Sequence, residues 1–389
     1  VPIFDRYQLS FRVSGRLSEL IKAGTLLRYW DISHQSDGSL NRRFTARPLK
    51  GYMPLTTEQD NAEDNVLIGR ESDEAKLDLI KEEGTAKCFK AIAKACYFQR
   101  ESGEATGVEA LGVLKADVDQ LGAIMGFGLK KEMRTIARTV TISRFLNHFF
   151  STYLPHVFQQ AAEEKTVHGS QAEYRDIYTV FAGGDDLFLI GPWNHMITFA
   201  SFLNKQFRAF TGENPELHLS AGISIHHDQE PVTEMSEQAE EALEKSKKGD
   251  KTGDRNRVTI FGETATWTGF EKLREKKTTI ETWLRDKIIN RAMLYRFNHV
   301  LQLAEHFQKM NQTEAIDFTC AEDIESIKWP AILKYSIVRN VKEKKNHMEI
   351  LKFAEWVGGT KRGAGDESFG SKLRMALWPV IYENRRARR

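Results

Sequence analysis

The run Gly183-Gly184-Asp185-Asp186, set between the strand-like stretches Asp176–Ala182 and Leu187–Ile190, constrains this chain more than any other feature. Two β-forming segments divided by glycines and acids read as a hairpin whose tip carries carboxylates. Adjacent glycines admit the positive φ angles of a tight turn, and they let a phosphate chain approach the backbone without meeting a Cβ atom. Taken alone, the same four residues also describe an ordinary turn, because Gly and Asp are favoured there for conformational reasons.

A second acidic strand end changes that balance. Leu111–Asp119 is an apolar run that finishes in Asp117 and Asp119, two residues apart and so on one face of an extended strand. A helical segment, Leu129–Tyr153, follows it, with Ile142, Phe145, Phe149 and Tyr153 at helical spacing and Pro155 to stop it. Beyond the hairpin come a helix over Trp193–Phe210, a strand over His218–His226, a charged helix over Thr233–Lys248 and a short strand over Arg257–Phe261. The order strand, helix, strand, turn, strand, helix, strand is the ferredoxin-like split βαβ arrangement, the core of palm domains.

In that arrangement the first and third strands can lie side by side, which gathers Asp117, Asp185 and Asp186. Clustered carboxylates repel one another and raise their own pKa values unless a cation neutralises them. Oxygen ligands suit Mg²⁺ or Mn²⁺ shared with substrate phosphates. Two such ions serve an in-line displacement on a nucleoside triphosphate. Asp117, Asp185 and Asp186 are therefore the candidate catalytic residues and metal ligands.

The fold class expected is α+β, a ferredoxin-like palm of the nucleotidyl cyclase or polymerase type followed by a helical C-terminal domain. The division is 1–100 as a mixed linking segment, 101–268 as the palm, and 269–389 as helices. Leu17–Ile21 reads as a short helix, and Leu26–Ile32 and Phe44–Arg47 read as strands around the Ser36–Ser39 turn. Thr56–Glu82 reads as a loop. In the last third, Leu294, Phe297, Leu301, Ala304 and Phe307 recur at helical spacing, and Trp283, Trp329 and Trp356 belong to that core or to subunit contacts.

Composition excludes several classes. A net charge of +2 makes no case for a nucleic-acid binder by whole-chain charge. Three cysteines (Cys88, Cys96 and Cys320) without a Cys-x-x-Cys pair exclude a disulfide framework and fit a reducing cytoplasm. No stretch reaches the roughly 18 apolar residues of a membrane span, so no membrane partner is expected. The opening Val1-Pro2-Ile3-Phe4-Asp5 is not a signal peptide, and a start without Met fits a processed or partial product. The eleven histidines show no metal-ligand spacing, and the His227-Asp228 dipeptide stands without upstream ligands. Arg385–Arg389 is a basic tail that fits either RNA phosphates or a solubilising end, and Lys342–Lys345 reads as a solvated face.

Leu114–Gly122, Ser143-Arg144 and Phe181–Asp186 together resemble the second palm domain of the large subunit of type III CRISPR effector complexes, with the Csm (subtype III-A) branch the closer likeness. Ser220–Ser224 and Ala242–Lys247 fit the same pattern. The resemblance covers about 105–265 and implies the C-terminal portion of that subunit. It implies cyclic oligoadenylate synthesis from ATP with a divalent metal, under control of guide and target RNA, within a ribonucleoprotein of sister subunits. Gly183, Gly184, Asp119, Ser143 and Lys247 are the implied nucleotide contacts. For Asp119 a ligand or ribose contact is implied. Lys247 is a triphosphate contact or one more solvated lysine, and Ser143 and Arg144 line the pocket or serve their helix. The family's HD nuclease, first palm and zinc segment are not recognisable, so single-stranded DNA cleavage is not assigned. The rivals are a non-catalytic RNA-binding scaffold and a diguanylate cyclase. The latter's signature carries Glu-Phe where Asp186 and Leu187 stand.

Overall fold

The computed structural model describes residues 2–3, 7–8, 51–61, 83–99, 105–163, 172–248, 255–313, 321–358 and 369–386. The expected helix at Leu17–Ile21, the strands Leu26–Ile32 and Phe44–Arg47, the Ser36–Ser39 turn, most of the 56–82 loop and Cys320 lie outside these residues. The chain forms two units, 1–50 and 51–389. In the first, β1 (Pro2–Ile3) pairs antiparallel with β2 (Tyr7–Gln8).

The second unit is built on a six-stranded sheet. After α1 (Phe89–Lys94) and the small ribbon of β3 (Phe98–Gln99) and β4 (Ala105–Thr106), the chain enters β5 (Leu111–Val118). The helices α2 (Leu121–Phe127), α3 (Ile136–His148) and α4 (Leu154–Glu163) lead to the hairpin of β6 (Tyr178–Gly183) and β7 (Asp186–Pro192). Helix α5 (Trp193–Phe210), β8 (Leu219–His226), α6 (Val232–Lys247), β9 (Arg257–Ile260) and β10 (Glu263–Thr266) complete the palm. The sheet order is β10-β9-β8-β5-β7-β6, antiparallel except for the parallel β8–β9 pair. Strands one and three of the split βαβ unit, β5 and β7, are neighbours as the sequence order predicts. The β9–β10 hairpin was not expected beyond its first strand.

Strand β5 is central and nearly continuous in apolar residues because both of its faces are covered. Leu114, Ala116 and Val118 pack with Leu187, Leu189, Phe149, Phe158 and Phe199 on the side of α3 to α5. Leu111 and Val113 pack with Ile190, Ile92, Met235 and Ala239 on the side of α1 and α6. By the alternation of a strand, Lys115 and Asp117 share this second face. Gly222, opposite Lys115 on β8, is what lets α6 lie so close, since a Cβ there would stand 2.1 Å from the Leu243 nitrogen.

Pro155 does not stop the helical run, contrary to expectation. The run breaks up near its start into a 3₁₀ turn at Lys131–Met133 and α3, and its far end is a π turn at Phe149–Tyr153 that passes directly into α4. The Leu154 N–H bonds the Phe149 carbonyl across that widened turn. Pro155 follows that widened turn directly, and a π turn of this kind is one of the places where a continuous helix departs from regular α pairing.

Helices α7 (Trp267–Arg285), α8 (Arg291–Thr313), α9 (Ala321–Ile327), α10 (Trp329–Asn340), α11 (His347–Gly358) and α12 (Arg374–Glu383) form the C-terminal part. Their core runs without a break into that of the palm. Thr266 caps α7 by accepting from the Gly269 N–H, and Trp267 Nε1 donates to the Leu219 carbonyl on β8 at 2.8 Å. Trp283 and Trp356 stack at 5.5 Å, so these tryptophans are core. Arg374 joins Glu263 on β10 to Glu305 on α8. The Gly107 N–H donates to the Arg385 carbonyl, which ties down the start of the basic tail. No helix among the described residues is long and apolar enough to cross a membrane.

Because the backbone of α6 stands where a Gly222 side chain would go, Gly222→Ala forces the helix off the sheet. The expected loss is about 1–3 kcal/mol by overpacking, read as a lower urea midpoint at unchanged slope. An unchanged midpoint contradicts the close seat of α6.

Candidate metal and nucleotide site

The sheet register builds the site. Asp117 on β5 is the cross-strand partner of Asp186 on β7, and Gly183 is the partner of Asp186 on β6. That leaves Gly184 and Asp185 as a two-residue turn. Gly184 has φ +68° while Asp185 does not have a positive φ, which is the pattern of a turn with only its first central residue left-handed. One glycine of the pair therefore carries the conformational demand. Gly183 does not, although the sequence alone treats both alike.

Asp117, Asp185 and Asp186 each place a carboxylate oxygen within 4.8 Å of the others. Among the described residues this is the group of His, Cys, Asp or Glu side chains able to hold one ion. Burial pushes the Asp117 carboxyl above its ordinary value, with Asp186 and Asp185 adding to the effect and Lys247 opposing it. Burial and then Asp185 push Asp186 up in the same way. These are the electrostatics of a site short of positive charge, and three hard oxygen donors in one place fit a divalent Mg²⁺- or Mn²⁺-type ion.

Lys247 is the last residue of α6, and its Nζ lies 2.8 Å from Asp117 Oδ2 and 3.5 Å from Glu244. Burial works against its charge, but the hydrogen bond and charge of Asp117 lift its pKa above the usual lysine value. The Lys247 side chain is thus half-buried and paired with Asp117. One strand position earlier on the same face, Lys115 Nζ pairs with Glu240 on α6 at 2.8 Å and lies 5.4 Å from the centre of the Phe188 ring.

Asp119 is not brought into the carboxylate group. Strand β5 ends at Val118, and Asp119 turns into a fully buried pocket against His218, Ser220 and Asn256. Ser143 and Arg144 are exposed on α3. One turn beyond Ser143, Asn147 Oδ1 accepts from the Gly184 N–H at 3.1 Å and so pins the acidic tip to α3. Asn147 escaped sequence reasoning because a lone Asn within a helix carries no motif, although its i+4 spacing from Ser143 puts both on one face. His227 lies in the loop after β8, where its backbone N–H bonds Glu230.

Residues 110–259 match the family described as Cas10/Cmr2, second palm domain. The palm of this chain is thus similar to the Cas10-type second palm. A relative from Methanocaldococcus jannaschii, named CRISPR system single-strand-specific deoxyribonuclease Cas10/Csm1 (subtype III-A), is 36% identical over 173 residues, covering 42% of this chain and 21% of the relative. One of the same name from Enterococcus italicus is 30% identical over 213 residues, 54% of this chain and 25% of the relative. The chain thus spans about a fifth to a quarter of the curated relatives it matches. The crystal structure of a Csm1–Csm4 cassette in complex with pppApApA shares its fold over 90% of this chain and 43% of that one, with a TM-score of 0.56 and 18% identity. The corresponding cassette with cA3 also has a TM-score of 0.56. The palm and the helices after it thus share the fold of part of the longer chain in that cassette.

The raised carboxylates predict a stability cost. A folded-state pKa above 3.8 for Asp117 and Asp186 means that their favourable contribution is present below that pH and lost as pH rises through the raised value. In EDTA at pH 7, Asp186→Asn is expected to stabilise the protein by about 0.5 kcal/mol after solvent screening at this exposed site. Mn²⁺ is expected to raise the thermal midpoint of the wild type but not of the variant. A wild type indifferent to Mn²⁺ contradicts the metal assignment.

Proposed function

We propose that this chain carries the nucleotidyl-transfer centre of a type III Csm-type CRISPR effector and makes cyclic oligoadenylates from ATP. The observation that carries the reading is the gathering of Asp117, Asp185 and Asp186 at the open end of a Cas10-type palm. The structural neighbours add chemical support. Csm1–Csm4 cassettes of this fold have been solved with one ATP, with pppApA and pppApApA, and with cA3 and cA4.

In the proposed reaction a ribose hydroxyl oxygen of one nucleotide attacks the α-phosphorus of a triphosphate. A new P–O bond forms, the bond to pyrophosphate breaks, and the hydroxyl proton leaves to solvent. Asp117, Asp185 and Asp186 would hold Mg²⁺ or Mn²⁺, which when bound neutralises the triphosphate and the developing charge. Lys247 supplies a fixed positive charge beside Asp117 that suits a phosphate oxygen. Gly184 presents a surface without a side chain at the tip, with nothing within 4 Å of where a Cβ would lie, and Asn147 holds that surface still. In this reading Ser143, on the Asn147 face of α3, would be a nucleotide contact.

Partners follow from the same reading: sister subunits, guide RNA and target RNA. The deoxyribonuclease activity in the relatives' name is not part of this proposal.

The test is incubation of ATP and Mn²⁺ with the chain, alone and assembled with sister subunits, guide and target RNA. Cyclic adenylates are expected, and Asp185→Ala with Asp186→Ala is expected to lower their formation by about 100- to 1,000-fold, the scale of losing a key electrostatic group. Undiminished product from the double variant sinks the assignment. No wild-type product in any assembly, with RNA bound normally, leaves the scaffold reading, and product from GTP alone leaves the diguanylate one.

A further inference from the structure

A chain of hydrogen bonds runs behind the carboxylate group and joins the end of β5 to the end of α6. Asp119 is fully buried, and its Oδ2 accepts from His218 Nδ1 at 2.7 Å, Ser220 Oγ at 3.0 Å and the Asn256 backbone N–H at 2.8 Å. Its own N–H donates to the His218 carbonyl at 2.9 Å. Asp119 Oδ1 and Asn256 Oδ1 are buried without a hydrogen-bond partner among the described residues, and Asn256 holds φ +63°. A buried acceptor left unsatisfied and a left-handed residue that is not glycine each cost stability. Such costs concentrate where a fixed geometry serves a site.

The next residue continues the chain. Arg257 donates from Nε to the Ser246 carbonyl at 3.1 Å and from Nη2 to the Lys248 carbonyl. Those two carbonyls flank Lys247, whose Nζ reaches back to Asp117 Oδ2. Asp117 in turn is the cross-strand partner of Ser220, the residue Asp119 grips. The circuit closes on itself: Asp119, Asn256, Arg257, the end of α6, Lys247, Asp117, Ser220 and Asp119 again.

We propose that Asp119 and Arg257 are positioning residues that hold Lys247 at a set distance from Asp117. The last carbonyls of a helix have no partners within it and the end frays, so a lysine on the final residue would wander. A guanidinium bridging the carbonyls on either side of Lys247 satisfies those groups and complements the negative end of the helix. Its two-pronged geometry is one that a lysine at 257 cannot reproduce. Asp119 fixes where β9 begins, and so where Arg257 stands. The role therefore belongs to neither the metal ligands nor the nucleotide contacts but to the frame behind them. Its geometry stands by itself, while its purpose, a cation held at the correct reach for a triphosphate, rests on the nucleotidyl-transfer reading.

The test compares wild type, Arg257→Gln, Arg257→Lys and Asp119→Asn in two measurements. The first needs no nucleotide: the rate at which acetic anhydride labels Lys247, followed by mass spectrometry against Lys345, whose side chain is 79% exposed. Arg257→Gln is expected to speed Lys247 labelling about fivefold, the factor that matches losing one ordinary hydrogen bond, at an unchanged far-ultraviolet spectrum. Asp119→Asn should move it less, and Arg257→Lys should restore it only in part. The second is ATP turnover, where Arg257→Gln is expected to raise KM more than it lowers kcat, and to add nothing in a Lys247→Ala background. Unaltered Lys247 labelling in folded Arg257→Gln overturns the brace whatever the chain catalyses. An Arg257→Gln effect that persists without Lys247 overturns the route through it. Should the wild type fail to turn over ATP, the function falls, and the labelling rates still decide the brace.

Discussion

Three carboxylates within 4.8 Å of one another are held by backbone pairing, not by attraction, and the rest of the palm is arranged around that repulsion. The β5–β7 register sets Asp117 opposite Asp186, and the two-residue turn sets Asp185 beside both. Neither strand can slip to relieve the crowding, because a one-residue slip would turn Leu114, Ala116, Leu187 and Leu189 out of the core. Burial on both faces of β5 is therefore what holds the acids together.

The neighbouring elements compensate in different ways. Gly222 brings α6 down onto the sheet, and α6 ends with Lys247 on Asp117. Gly184 takes the left-handed turn position, and Asn147 on α3 fixes its N–H. Asp119 and Arg257 tie the ends of β5, β8, β9 and α6 behind the site. Lys247, with Lys115 beyond it engaged by Glu240, still leaves the three carboxylates short of positive charge, a deficit that a divalent ion would reduce.

Much of this was legible in the sequence, where local pattern and function coincide. The apolar run ending in Asp117, the glycine-acid tip and the helix over Trp193–Phe210 each carry a periodicity or a turn signal, and their order fixed the sheet neighbours. What stayed illegible depends on contacts distant in sequence. Asp119 looks like a twin of Asp117 on an extended strand, but the strand stops at Val118 and the side chain turns into a pocket supplied by β8 and β9. Pro155 looks like a stop, but the helix runs through it behind a π turn that the sequence does not announce. Asn147 and Arg257 carry no motif, and their roles appear only once Gly184 and Lys247 are next to them.

The most direct test of the central claim is anomalous diffraction from crystals of the assembled complex grown with Mn²⁺ and a non-hydrolysable ATP analogue. The expected result is a manganese peak within coordination distance of oxygens of Asp117, Asp185 and Asp186, with the analogue's phosphates on its open side and Lys247 turned toward them. Manganese bound elsewhere on the chain, with those three carboxylates unligated and nucleotide present, would contradict it.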